Sequence, residues 1–305
     1  MSATTVERVT AHYSRWPFPS GAHRSREGLT LLRSLREWLR ATGSPRVVDV
    51  GCGTGDTVVA LAKRMPGAEF LGVDVSEASL DLARRLARDA GVSNVTFRPL
   101  DLSRALPDLE PFDAVLSLGV LHHLPDLRDG FRKVGALAAP GAPIVLWLYG
   151  RHGRMAHGLN QEFLRLLARG DAEAAPAVAR TFVESLGERF VEGTGFYTPE
   201  NCGRSGLRWL LEHPVWLADQ MFPAFEQCVT MGDILELFDS TGIAFERWFG
   251  VRAALSEHTS EPLLLERFER LSDRERLLAM DLLLRPAYYF VAGRRPPTAR
   301  EGGAP

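Results

Sequence analysis

The 305-residue sequence predicts an α/β protein built on a doubly wound, mostly parallel sheet of seven strands, with a helical cap inserted after the fifth. Two observations carry that prediction. From Arg46 to Gly150 short apolar runs alternate with runs of helical period, and strands separated by helices pair in parallel through right-handed crossovers. From Arg151 to Val229 the alternation stops, helical patterns take over, and strand-like runs return only beyond Met231.

After a polar start, Leu32, Leu35 and Leu39 line one stripe of a helix over Ser25–Thr42, with Trp38 alongside, and Gly43 stops it. RVVDV at 46–50 reads as a strand, then a glycine turn and a helix from Thr57 to Arg64. The pattern repeats as strand 69–75, helix 76–90, strands 94–100 and 112–119, helix 127–137 and strand 143–150. Helices are expected at 159–167, 176–186 and 207–221, then at 231–241, where Leu235 and Phe238 share a face and Gly242 ends the run. A strand at 243–250, one helical stretch at 262–284 and a strand at 287–295 complete the series. These shifts divide the chain into an N-terminal aromatic segment (1–24), a sheet domain (25–150 and 230–295), a helical insertion (151–229) and a loose tail (296–305).

Composition narrows the class. With 45% hydrophobic and 24% charged residues the chain has the balance of a globular protein rather than a disordered one. A net charge of −2 offers no basic field for nucleic acid, so such a partner is not expected. The longest uncharged stretch, 134–150, is broken by Pro140, Gly141 and Pro143 and is too short to span a bilayer, and the start has no apolar signal region. A cytoplasmic protein is expected. Cys52, Cys202 and Cys228 have no paired spacing, which argues against a disulfide framework and against a metal site.

The turn VVDVGCGTGD places Gly51, Gly53 and Gly55 after the first strand, where backbone can approach a ligand closely. A dinucleotide fingerprint needs glycine at position 56, where this chain has Asp56, and no Lys–Ser/Thr pair follows to make a P-loop. A carboxylate there opposes a pyrophosphate but suits a cationic ligand without phosphate.

These residues resemble the class I S-adenosylmethionine-dependent methyltransferase family, of the bacterial small-molecule type: its acidic residue followed by GxGxG matches Asp49, Gly51, Gly53 and Gly55. The resemblance implies a Rossmann-like fold, S-adenosyl-L-methionine as cofactor, and methyl transfer to an oxygen, nitrogen or carbon of a small molecule in specialised metabolism. It implies that Asp74, with Val75 beside it, holds the ribose diol, and that Asp101 receives the adenine amino group with the Leu102 N–H adjacent. The backbone near Ser117 and Leu118 is implied to face the methionine end.

In-line methyl transfer needs positioning first, and a base only where the acceptor loses a proton. His122 and His123 follow the fourth strand, and an imidazole of ordinary pKa about 6.5 suits that task, as does a polar contact from Tyr149; both histidines also suit simple loop hydrogen bonding. His152, His157, Asn160 and Gln161 lie near the same rim, where they orient an acceptor or cap a helix. In the insertion, His213, Trp216, Asp219 and Met221 can wall a pocket, although Trp216 and Met221 equally suit helical core packing. The N-terminal HYSRWPFPS resembles aromatic–proline segments of bacterial small-molecule methyltransferases, implying a lid that brings Tyr13, Trp16 and Phe18 over the cofactor.

Two rival readings keep the fold: a tRNA or protein methyltransferase using RHGR and GRR as a phosphate track, and a non-methylating S-adenosylmethionine-binding protein. A homodimer is compatible with the sequence but not indicated by it.

Overall fold

The computed structural model describes residues 4–18, 26–171, 173–187 and 208–297. A helix absent from the expectations opens the chain. In α1 (Thr5–Arg15) the Thr4 hydroxyl accepts the Glu7 N–H while the Glu7 carboxylate accepts the Thr4 N–H, a reciprocal cap that satisfies two otherwise unpaired donors. α2 (Arg26–Trp38) buries Leu31, Leu32 and Leu35, the stripe expected from spacing.

There follow β1 (Arg46–Val50), α3 (Asp56–Arg64), β2 (Glu69–Asp74), α4 (Glu77–Asp89), β3 (Val95–Pro99), β4 (Ala114–Leu118), α5 (Leu127–Ala136) and β5 (Pro143–Tyr149). The sheet order is β3-β2-β1-β4-β5-β7-β6, with β1 to β5 parallel and β7 antiparallel to both neighbours. β1 and β4 are buried on both faces, so their residues read as mainly apolar runs rather than alternating ones, with Asp49 and Ser117 the buried polar exceptions. Val48, Val115 and Ile144 pack on one side with Phe131 and Phe238, while Val47, Leu116 and Val145 pack on the other with Leu35 and Leu61.

The cap begins with α6 (Arg151–Ala168), which starts eight residues before the helix expected at 159–167. Its first turn lies against the chain entering β7: a Cβ on Gly153 would stand 2.4 Å from the Ala287 N and 2.5 Å from the Arg285 carbonyl oxygen, so glycine is a packing requirement there. α6 turns Arg154, His157, Asn160 and Gln161 inward and leaves Met155, Leu159, Leu166 and Leu167 exposed, the reverse of the usual pattern. α7 (Ala175–Phe182) passes into a π turn, Val183–Gly187. Where one helix was expected at 207–221, α8 (Arg208–Glu212) and α9 (Pro214–Met221) appear, because Pro214 cannot continue a helix but can start one. Leu164, Phe182, Leu210, Leu217 and Met221 form the cap's own core. Residues 188–207, including Cys202, lie outside the described residues, as do 19–24 of the N-terminal segment and most of the tail.

α10 (Met231–Thr241), β6 (Ala244–Trp248), α11 (Pro262–Glu269), α12 (Asp273–Leu284) and β7 (Tyr288–Arg294) complete the chain. The stretch expected as one helix at 262–284 is two, because the Ser272 side chain caps a new start by accepting the Glu275 N–H. Among the described residues no helix is long and apolar enough to cross a membrane.

Candidate functional site

The strand order reverses between β1 and β4, and at their carboxyl ends lies a cavity of about 290 Å³. Its floor is the glycine turn. Gly51, Gly53 and Gly55 have φ of 78°, 54° and 83°, the left-handed region. The Gly51 and Cys52 N–H groups donate to the Val73 carbonyl at 2.7 and 2.9 Å, tying the turn to the end of β2. A Cβ on Gly51 would stand 2.2 Å from a Val120 methyl, so the turn also fits under the loop leaving β4.

Carboxylates surround this floor. Asp74 lines the cavity at the end of β2, its Oδ2 accepting the Gly53 N–H and its Oδ1 the Ser76 N–H, both at 2.9 Å. Burial pushes its pKa up, opposed by these backbone donors. Asp49 is buried with an Oδ1 that meets no hydrogen-bond partner, and burial, helped by the charge of Asp74, pushes it up to about 7. Asp101 lines the wall, its Oδ1 engaged by the Ser103 N–H at 2.8 Å and its Oδ2 3.2 Å from the Arg104 guanidinium. Val75 and Leu102 line it too, and the Leu102 carbonyl accepts from Lys133 Nζ at 2.6 Å. Among the described lining residues there are carboxylates but no lysine or arginine. Burial pushes the Cys52 thiol well up, so it is no nucleophile.

The other half of the cavity is closed by distant segments. α1 presents Val6, Val9, Thr10 and Tyr13, and the Phe18 carbonyl accepts the Thr54 N–H at 3.0 Å, joining this segment to the glycine turn. Tyr13 Oη lies 3.0 Å from His123 Nε2 and donates to Asp219 Oδ1 at 2.9 Å. His123 Nδ1 is 2.7 Å from the Phe225 carbonyl oxygen, and Asp219 Oδ2 accepts from Gln220 Nε2 at 2.7 Å. Tyr149 lines the cavity and accepts from Gln220 Nε2 at 3.1 Å. Trp216 lines the wall with its ring 4.5 Å from that of Phe18.

Several expected site residues are elsewhere: Gly55, Asn160, Gln161, His213 and Met221 do not line the cavity, and neither do the five that follow. Ser117 is wholly buried within β4, and its neighbour Leu118 lines the cavity instead. His122 is wholly buried, stacked on the Tyr149 ring at 3.9 Å, and held neutral by burial, so His123 alone of that pair reaches the cavity. Trp16 turns away under the Arg15 guanidinium, 5.7 Å from its ring. His152 sits at the start of α6, 3.5 Å from Asp281 Oδ2, and His157 is buried beside Gln161 Nε2 at 3.0 Å; neither lines the cavity. The helix turns His157 into a buried polar layer where Arg154 Nη2 holds both Glu226 oxygens at 3.0 and 3.1 Å and the Arg154 guanidinium covers the Tyr149 ring at 3.6 Å.

Sequence reading missed that layer, Gln220, and the cavity face of α1. A signal for the last was present: Thr4 and Glu7 have capping-box spacing, and Val6, Val9, Thr10 and Tyr13 recur at helical intervals.

Residues 48–144 match a family model described as a methyltransferase domain. An uncharacterized protein of Synechococcus sp. is 29% identical over 271 residues, 83% of this chain and 61% of its own length. A ubiquinone biosynthesis O-methyltransferase of Alkalilimnicola ehrlichii is 33% identical over 143 residues, 46% of this chain and 57% of its own. This chain therefore spans about three-fifths of the curated relatives it matches. Among solved structures, the magnesium protoporphyrin IX methyltransferase of Synechocystis PCC 6803 superposes with a TM-score of 0.52 at 16% identity, covering 96% of this chain and 100% of that one. That likeness is one of fold.

Proposed function

We propose that this chain, which belongs to the class I S-adenosylmethionine-dependent methyltransferases by its fold and its methyltransferase domain, binds S-adenosylmethionine and methylates an oxygen, nitrogen or carbon atom of a small molecule. The observation that carries the reading is the buried Asp49 carboxylate, with one oxygen unpartnered, beneath a glycine turn in a cavity lined by acids and by no described cation. Such a site fits a cationic ligand that carries no phosphate. When bound, S-adenosylmethionine supplies a methyl group on a sulfonium sulfur.

This chain's residues divide the work of holding it. Asp74 retains lone pairs for a ribose diol after accepting from Gly53 and Ser76. Asp101, braced by Ser103 and Arg104, edges the adenine side, and Asp49 faces the positive end. α1 and the cap enclose the acceptor half, excluding water and holding the acceptor in line. The relative named a ubiquinone biosynthesis O-methyltransferase supports a small-molecule acceptor. Calorimetry with S-adenosylhomocysteine tests the cofactor, and release of labelled methyl to an acceptor tests the transfer. A folded protein that gives no saturable heat with S-adenosylhomocysteine would overturn the reading.

A further inference from the structure

We propose that the acceptor is a neutral hydroxyl compound of phenolic type, and that Tyr13, His123 and Asp219 form a relay that takes its proton. The proposal rests on the methyl-transfer reading above and specifies its acceptor. The three side chains come from α1, the turn after β4 and α9, and meet only at the cavity.

Counting protons shows what the trio is built to hold. A carbonyl oxygen only accepts, so the 2.7 Å contact with the Phe225 carbonyl places a proton on His123 Nδ1. Tyr13 has one hydroxyl proton and two acceptors beside it, His123 Nε2 at 3.0 Å and Asp219 Oδ1 at 2.9 Å. With a neutral imidazole and an ionised Asp219, one of those contacts has no proton. One more proton completes both: Nε2–H donates to Tyr13 Oη, and Tyr13 O–H donates to Asp219. Placing that proton on Asp219 reverses the chain and leaves the count unchanged. The trio is therefore fully matched after it has gained a proton, the state that follows deprotonation of an acceptor.

The step balances. The acceptor hydroxyl gives its proton to Tyr13 Oη as Tyr13 passes its own to His123 Nε2. The acceptor oxygen uses the freed pair to bond the methyl carbon while the carbon–sulfur bond breaks, and that pair stays on sulfur as a neutral thioether. The proton, now on His123 and facing Asp219 through Tyr13, leaves to water with the product. Burial and Asp219 push the Tyr13 phenol well up, which suits a group that hands on one proton only as it receives another. The groups packed around the trio do not compete for it. His12 of α1 and His122 are disfavoured from protonation by burial, Tyr149 of β5 is held protonated by burial, and Glu226 is committed to Arg154.

The walls select the acceptor's body and charge. Phe18 packs on Trp216 with ring centroids 4.5 Å apart, and Trp147 on Tyr288 at 5.4 Å, so two aromatic pairs line the cavity and offer apolar walls to a flat apolar body. With Asp49, Asp74, Asp101 and Asp219 lining the cavity and no described lysine or arginine there, an acceptor carboxylate placed away from the relay would face acids and no fixed cation.

4-Nitrophenol reports the relay directly, since its phenolate is coloured and can be read with S-adenosylhomocysteine bound and no turnover. Below the probe's own pKa, the wild-type protein should bind it ionised, and Tyr13→Phe and His123→Gln should bind it neutral. With S-adenosylmethionine, single-turnover methylation of the probe should fall about 100-fold or more in both variants, and the wild-type rise of rate with pH should flatten. Both variants should bind S-adenosylhomocysteine as the wild type does; should His123→Gln fail to fold, Tyr13→Phe decides. Equal ionisation of the probe by wild type and variants overturns the relay, as does methylation within about threefold. Failure to bind nitrophenol, or faster methylation of 4-nitrobenzoate, overturns the phenolic assignment. Loss of S-adenosylhomocysteine binding in the wild type would instead overturn the methyl-transfer reading itself.

Discussion

Asp49→Asn exchanges a buried carboxylate for a neutral group of the same shape. Asp49 lies near the end of β1 with one oxygen unpartnered, and its pKa is pushed up to about 7 from an ordinary 3.8. Between those values the folded protein keeps a proton that the unfolded chain has released, so stability falls as pH rises from about 4 to about 7 and is level above. Asn carries no such charge, and its own stability lacks this slope. From pH 5 to pH 8 the wild type loses up to about 1.4 kcal/mol for each pH unit, the slope fading through pH 7, about 3 kcal/mol in all. An Asn amide left without partners costs about 1–3 kcal/mol, but at every pH. The stability of the variant relative to wild type should therefore swing in its favour by about 3 kcal/mol between pH 5 and pH 8, wherever the baseline lies. Urea unfolding of both proteins at the two pH values reads this from the midpoints. A difference that stays constant within about 0.5 kcal/mol would refute the assignment of a raised pKa to Asp49.

Other perturbations test the rest of the site. Because a cationic ligand draws the proton off Asp49, S-adenosylmethionine binding should release about one proton at pH 6 and close to none at pH 8, which calorimetry in two buffers of different ionisation enthalpy measures. Gly51→Ala puts a methyl group 2.2 Å from Val120 at a φ of 78°, so S-adenosylhomocysteine binding should be lost and the melting temperature lowered; a folded variant with unchanged affinity would contradict that geometry. Arg154→Met leaves Glu226 buried without its charged partner, with only the Gln161 amide at 3.3 Å, and should cost about 3–5 kcal/mol, while adding Glu226→Leu should restore much of it. A double-mutant cycle by urea unfolding checks the coupling.

The seven strands were legible because burial on both faces of the central ones leaves short, mainly apolar runs, unbroken in Ile144–Leu148 and interrupted in Val47–Val50 by Asp49 alone. The helices were read by period alone, which does not register a break at a residue that still fits the stripe. Hence Pro214 and Ser272 each divided a stretch expected to be continuous. The glycine-turn half of the cavity was legible because Asp49, the glycine turn and Asp74 lie within one βαβ unit, where neighbours in sequence are neighbours in space.

The half of the cavity closed by α1 and the cap had no such local grammar. Tyr13 is 110 residues from His123 and 206 from Asp219, so no spacing could announce their meeting. Nor could composition choose between His122 and His123, adjacent and chemically alike. One turn of 3₁₀ helix decides it: the Gln227 N–H donates to the His122 carbonyl at 2.9 Å, His122 stacks beneath Tyr149, and His123 is left facing Tyr13. The same local choice separates Trp16, turned out under Arg15, from Phe18, whose carbonyl anchors it to the glycine turn. Which residue of each pair serves the site is a property of how α1 and the cap dock on the sheet. Tyr13→Phe removes one hydroxyl from that docking while preserving the ring, so loss of thermal stability without loss of probe ionisation would make Tyr13 a structural tie between α1 and the cap, and the opposite result would make it part of the chemistry.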